Sequence, residues 1–272
     1  MVTFTLPEKL RKLARSNQKL MYDLLFQSSA AALQELAQDK RFVGAEIGMI
    51  GVLQTWTRDL SYHPHIHYLV PGGGVTEAEY WQRAKNGFLV HGKPLSKLFR
   101  GKFRAALKKT ALYEQVPTEA WQQEWVVHCQ SVGGGEAALK YLAPYIFRVA
   151  ISNNRIVKVE NEQVTFRYYD NKGKRRYCTL PVYEFMRRFL QHVLPKGFKK
   201  VRYYGLFSPA KRALLNRVRL RLLIQTPPPA ALSREPQEQD SLSTPSSSLP
   251  CPTCGRPMRR VSKLKPIWCR PP

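Results

Sequence analysis

A chain of 272 residues, 43% of them hydrophobic, is long enough to bury a core, and 44 Lys+Arg against 19 Asp+Glu leave a formal charge of +25. That excess exceeds what solubility needs and points to a polyanionic partner, nucleic acid first and an acidic membrane surface second. No run of about 18 apolar residues is present and Met1 to Leu10 lacks the order of a signal peptide, which argues against a membrane-embedded or secreted protein and for a cytosolic, nucleoid-associated one with reduced thiols.

In chain order, "TFTLPEKLRKLARSNQKLMYDLLFQSSAAALQELAQD" reads as a short strand followed by helices, with Leu20, Leu24, Leu25, Leu33 and Leu36 at helical spacing. "VGAEIGMIGVLQTW" is a buried strand, "TRDLSYHP" a turn and "HIHYLVP" a second strand, so the two form an antiparallel hairpin. Pro64 is expected to break the strand between His63 and His65. "PLSKLFRGKFRAALKKT" puts Leu95, Leu98, Phe99, Phe103, Ala106 and Leu107 on one helical face among many cations, which predicts a basic helix docked on the core. "WVVHC" reads as a strand, "GGGEAALKYLAPYIF" as a glycine turn opening a helix, "RVAIS" as a strand and "DNKGK" as a hairpin turn. "PVYEFMRRFLQHVLP" is an amphipathic helix, and "KGFKKVRYYGLFSPAKRALLNRVRLR" carries nine Lys or Arg and no acid, a phosphate-binding candidate. The order is that of an α+β fold with a central antiparallel sheet and flanking helices, over residues 1–225. Six prolines and six serines mark 226–250 as a flexible linker, and 251–272 is a short cysteine-bearing tail.

Three groups carry chemistry. His65 and His67, two apart in a strand, present their imidazoles on one face and suit a single ion: Mn, Zn, Fe or Ni, or Mg once oxygen donors join them. Taken alone the pair equally describes polar residues tolerated on a half-exposed strand. Gln54, across the hairpin, is the candidate third ligand, with Glu46 a second guess and His63 outside the site. Tyr141 and Tyr145 share a helical face, and a phenol beside a metal or a basic field is a competent nucleophile toward phosphorus. Without the histidines the same pair describes aromatic residues at the rim of a core helix. Pro144 predicts a kink between them, which makes Tyr141 the first choice. Cys251, Cys254 and Cys269 are candidate zinc ligands in the tail, three where a closed site wants four, so an incomplete ribbon is the alternative. The glycine runs at 72–74 and 133–135 lack the Lys-Ser/Thr of a nucleotide loop and read as turns. Cys129 reads as a buried small residue rather than a catalyst.

"HPHIHYLVPGGG" together with "YLAPYIFRVAISNNRI" resembles the two-tyrosine, histidine-hydrophobe-histidine (HUH) transposases of rolling-circle insertion sequences. The resemblance runs from "FTLPEKLRKLARSNQKLMYDLLF" through "LFRGKFRAALKK" and "FMRRFLQHVLPKGFKKVRYYG" to "CPTCG". It implies an antiparallel sheet carrying His65 and His67 on a central strand as metal ligands, with Tyr141 and Tyr145 as nucleophiles on a neighbouring helix. It implies Mg or Mn as the ion. Two departures stand out. The family usually has a cysteine- and histidine-rich segment ahead of "FTLP", so the chain is expected to be N-terminally shortened, and the position of Pro144 often holds arginine.

The activity so implied is nicking and rejoining of single-stranded DNA at element ends and target through a 5′-phosphotyrosine link. In so basic a chain Arg148, Arg155, Lys199, Lys200 and Arg202 are candidate phosphate contacts, each of which reads equally as an ordinary solvated surface charge. The rival expectation is a truncated, inactive remnant that grips DNA without cutting it. A ribosomal or RNA-binding module would explain the charge but not the paired histidines and tyrosines.

Overall fold

The computed structural model describes residues 1–85, 89–137, 140, 150–170 and 172–225. The chain divides into two units, Met1–Thr226 and Pro227–Pro272. The expected linker after Thr226 and the tail with Cys251, Cys254 and Cys269 lie outside the described residues.

The first unit is built on a five-stranded antiparallel sheet in the order β10-β2-β3-β1-β6, where β1 is Val2–Thr5, β2 Gly48–Trp56, β3 Tyr62–Leu69, β6 Val127–Cys129 and β10 Val201–Gly205. The expected hairpin is β2–β3, and the N-terminal "TFT" pairs with β3, which puts the histidine strand at the centre. Helices α1 (Glu8–Ser16), α2 (Gln18–Gln38) and α3 (Gly92–Leu107) cover one face. The strands supply Phe4, Ile66, Tyr68, Met49 and Leu53 to that interface, and the helices supply Leu10, Met21, Leu25, Phe26, Leu33, Leu95, Phe99 and Phe103. The basic helix expected around Phe99 docks as its spacing requires, burying Leu95, Phe99, Phe103 and Leu107 four residues apart while its cations stay outside.

Tyr68 fastens sheet to helix. Its hydroxyl meets Ser29 Oγ at 2.9 Å and donates to the Phe26 carbonyl at 3.2 Å, and Ser29 Oγ donates to the Leu25 carbonyl at 2.6 Å. The ring fits because its strand neighbour is Gly51, where a Cβ would lie 2.6 Å from a Tyr68 ring carbon.

Pro64 does not end the strand. Gln54 pairs with His65 and Trp56 with Tyr62, so His63 and Pro64 together face the single residue Thr55, a bulge in β3. A proline costs no ladder bond at such a place, and its carbonyl accepts from Leu6 N–H at 2.9 Å.

A three-stranded antiparallel sheet follows, β7 (Ile156–Glu160), β8 (Gln163–Tyr169) and β9 (Arg175–Pro181), with helix α5 (Val182–Leu190) after it; α4 is the short Glu119–Gln122 helix. The β8–β9 turn is the expected "DNKGK" hairpin. Of the expected "RVAIS" strand, residues 148–149 lie outside the described residues and 150–152 are irregular; a single 3-10 turn spans Asn153–Arg155, and the next strand begins at Ile156. The missed signal was Asn161–Glu162, whose φ values of 47° and 58° make the two-residue β7–β8 turn. A two-stranded ribbon, β4 (Gly73–Val75) with β5 (Trp81–Arg83), and a final helix α6 (Arg212–Gln225) complete the described chain.

Gly205, the last residue of β10, combines φ +57° with a position where a Cβ would stand 2.0 Å from the Ile47 carbonyl oxygen. Gly205→Ala is therefore expected to destabilise the fold by about 2–4 kcal/mol, from positive-φ strain plus displacement of a fixed backbone atom. A shift in the urea midpoint at unchanged slope measures it.

A candidate metal centre on the sheet face opposite the helices

Alternation in β3 sends Ile66 and Tyr68 to the helices and His65 and His67 to the opposite face. The pairing register sets their neighbours there. Thr5 and Gln54 flank His65, Thr3 and Val52 flank His67, and His128 of β6 lies beyond Thr3. The His65 and His67 ring centroids are 4.8 Å apart with planes at 82°.

Each imidazole is held by its Nδ1. His65 Nδ1 lies 2.6 Å from the His63 carbonyl oxygen; a carbonyl only accepts, so the proton is on Nδ1 and Nε2 keeps its lone pair. His67 Nδ1 meets Thr3 Oγ1 at 3.0 Å; with the proton on Nδ1 the hydroxyl accepts it and Nε2 keeps its lone pair, the tautomer that a metal ligand needs. His63 thus contributes its backbone rather than its ring, and the bulge at His63–Pro64 lies next to the carbonyl that does so. Thr3 was not singled out by sequence reasoning. The alternation in "TFT" holds the signal, because Phe4 must face the core and Thr3 must not, but only the pairing with β3 gives the hydroxyl its partner.

Burial keeps both rings neutral. It pushes His65 down to about 3, with the neighbouring His67 adding to the effect, and His67 down to about 4. Two neutral imidazoles with Nε2 lone pairs on one face are the donor type that borderline divalent ions take. Among the described residues, no three His, Cys, Asp or Glu side chains are grouped to hold an ion, so a third donor of those types is not found there. Gln54 supplies another type. It stands directly across from His65, its Nε2 donates to the Trp56 carbonyl at 3.4 Å, and its buried Oε1 has no hydrogen-bond partner among the described residues. An amide oxygen left this way is costly unless something accepts its lone pairs, and a cation does so. His65, His67 and Gln54 therefore fit a divalent ion.

Glu46 does not belong to this group. It pairs with Val75 through the backbone, and both carboxylate oxygens take Lys211 Nζ at 2.5 Å. It lies eight residues before Gln54, about 26 Å at the usual rise of a strand.

Tyr141, Tyr145 and Arg148 lie outside the described residues. Of the other phosphate-contact candidates, Lys199 is exposed. Lys200 lies over the Trp56 ring at 5.2 Å. Arg202 pairs with Gly51 on the helix-covered side, where it is ion-paired to Asp23 and lies 4.3 Å from the Phe26 ring centre. Arg155 donates to the backbone carbonyls of Arg167, at 2.9 Å, and of Arg58, tying the β7–β9 sheet to the loop after β2. Cys129 and Cys178 are free thiols, half-buried, and burial raises both. No helix of the described residues is long and apolar enough to cross a membrane.

A third buried histidine shares the acid sensitivity of the pair. His192 stacks on Tyr62, with Nε2 3.1 Å from the Leu60 carbonyl and Nδ1 3.2 Å from Thr55 Oγ1, and burial lowers it to about 4. The native chain keeps His65, His67 and His192 neutral, whereas the unfolded chain protonates them near 6.5. Their contribution is complete above pH 6.5 and is lost as pH falls toward 4. At pH 5 the loss is on the order of 2 kcal/mol for each ring. Chelator-treated protein is thus expected to melt about 10 °C or more lower at pH 5 than at pH 7.5. Equal melting temperatures would contradict the buried neutral state.

The profile of the family Y2_Tnp, described as "Putative transposase", matches residues 48–213, a span that holds Gln54, His65, His67, Tyr141 and Tyr145. The chain is 37% identical over 278 residues to "Putative transposase y4qJ" of Sinorhizobium fredii (strain NBRC 101917 / NGR234), covering 93% of this chain and 70% of that protein. It is 29% identical over 223 residues to "Transposase for insertion sequence element IS801" of Pseudomonas savastanoi pv. phaseolicola, covering 76% of this chain and 53% of that protein, about half its length. No solved structure matches. With a family match over more than half its length and a relative of 37% identity, the chain belongs to the Y2_Tnp family of transposases.

Proposed function

We propose that this chain nicks and rejoins single-stranded DNA during rolling-circle transposition, through a 5′-phosphotyrosine intermediate formed beside the His65–His67–Gln54 centre. The observation that carries the reading is the convergence on one sheet face of two imidazoles, each held by Nδ1, with a buried amide oxygen that has no partner among the described residues. Relatedness to an insertion-sequence transposase supports the same reaction class.

In this reading His65 Nε2, His67 Nε2 and Gln54 Oε1 would hold Mg or Mn, which would supply charge to polarise the scissile phosphate. The phenolic oxygen of Tyr141 or Tyr145 attacks phosphorus in line, its proton passing to solvent or a base, and the 3′-oxygen departs and takes up a proton. The tyrosine keeps the 5′-phosphate. A free 3′-hydroxyl then attacks the phosphotyrosine, which releases the phenol and restores a phosphodiester, so strands are exchanged without ATP. Two tyrosines would hold two strands in turn. The role of Thr3 and of the His63 carbonyl is to aim the imidazoles. Residues 1–225 constitute the catalytic domain in this assignment, 226–250 the linker, and Cys251, Cys254 and Cys269 a zinc-binding tail.

The test is cleavage of end-labelled single-stranded DNA containing the element ends, with Mn, Mg or chelator. Expected is metal-dependent cleavage that leaves a 3′-hydroxyl fragment. Salt-sensitive binding without cleavage in any metal would instead favour a DNA-gripping remnant.

A further inference from the structure

The β7–β8–β9 sheet buries one face and, at the end nearest the β8–β9 turn, exposes the other. Phe166, Cys178, Leu180 and Tyr168 pack inward with Leu60, Ile151 and Phe185. The register pairs Arg167 with Tyr177 and Tyr169 with Arg175, so these four side chains share the opposite face, with tyrosine and arginine alternating along and across the two strands. Tyr169 and Tyr177 are 57% and 55% exposed. Both arginines are exposed as well.

The charges on this patch are free to act on a ligand. Among the described residues neither Arg167 nor Arg175 has a carboxylate partner, and the Arg175 guanidinium rests over the Tyr177 ring at 5.8 Å. The turn between the strands adds exposed Lys172 and Lys174. The carboxylate there, Asp170, is already engaged, accepting from the Lys172 and Lys174 backbone amides at 2.9 and 3.0 Å and from Arg176 Nε at 3.1 Å. What remains toward solvent is two aromatic residues, their backbones about 7–8 Å apart as diagonal neighbours on paired strands, set among uncompensated cations.

Rings and cations in this arrangement suit unpaired bases. An exposed ring stacks on any base and needs no sequence, while guanidinium and ammonium groups meet the phosphates between them. A duplex keeps its bases inside and offers the patch only phosphates, which would use the cations and leave the rings idle.

We propose that Tyr169, Tyr177, Arg167 and Arg175 form a second single-stranded DNA contact, on a different sheet from the metal centre, that holds the strand and takes no part in breaking it. The inference rests on the reading that DNA is the substrate, though not on the nicking chemistry.

The test is binding of labelled oligothymidine to the full chain by fluorescence anisotropy, in chelator so that no cleavage intervenes, across a salt series and beside a duplex of equal length. Y169A/Y177A is expected to weaken oligothymidine binding about tenfold or more and to leave the salt dependence and duplex binding unchanged. Y169F/Y177F keeps the rings and should bind within about twofold of the native chain. R167Q/R175Q should reduce the slope of log K against log salt by about 1.4, for two phosphates on a single strand. Native affinity in Y169A/Y177A would overturn the platform, as would an equal loss on duplex and single strand, while a native chain that binds neither DNA would overturn the DNA reading from which the platform starts.

Discussion

Replacing His65 or His67 with alanine is expected to remove divalent-metal binding and to lower nicking on the order of 10³-fold or more. Each ring is one of two imidazoles, His67 buried and His65 half-buried, whose Nδ1 is engaged, so its loss leaves a single nitrogen and the Gln54 amide to hold the ion. The comparison that gives this force is Thr3→Val. It preserves shape and the β1 strand but takes away the hydroxyl 3.0 Å from His67 Nδ1, and the loss of such an outer partner costs about 10–100-fold in metal affinity. Calorimetric titration with Mn, run on both variants, separates the cases. If His67→Ala and native protein bind Mn equally, the ion is held elsewhere.

The second large effect is on stability. Phe4→Ala should cost about 3–5 kcal/mol, the range for truncating a fully buried aromatic ring. Phe4 is 0% exposed and makes edge contacts with Tyr68 at 5.7 Å and Phe99 at 5.0 Å, so one ring joins β1, β3 and α3. The consequence reaches the other side of the sheet. Phe4 fixes the strand that presents Thr3, so Phe4→Ala should also weaken Mn binding at temperatures where the protein is still folded. Urea unfolding gives the first quantity and Mn titration the second. A destabilised variant with native Mn affinity would show that β1 only packs and does not aim His67.

Much of this was legible in the residues, and the parts that were not share a cause. Local pattern suffices for the β2–β3 hairpin, for the helix with Leu95, Phe99, Phe103 and Leu107, and for the turn at Asp170, because each is decided by spacing and turn chemistry within a few residues. Gln54 could be proposed because hairpin partners are set by the turn between them. Thr3 could not, since its partner lies 64 positions away and depends on which strands become neighbours. Glu46 is excluded by the same kind of long-range pairing: its carboxylate is claimed by Lys211, 165 positions on. Pro64 misled because the rule that excludes proline from inner strands yields at a bulge. Arg202 read as a phosphate contact from charge density alone, yet alternation in β10 turns it toward Asp23 and Phe26.

The most direct test of the central claim is transfer of labelled single-stranded DNA onto the protein itself. Native protein, Tyr141→Phe, Tyr145→Phe, the double variant and His67→Ala would be incubated with the DNA in Mn and resolved on a denaturing gel, with the attachment site mapped by mass spectrometry. The expected result is a covalent adduct on Tyr141 or Tyr145 that needs the metal, is absent in the double variant and fails to form in His67→Ala. An adduct that forms without metal, or one mapped to any other residue, would contradict it.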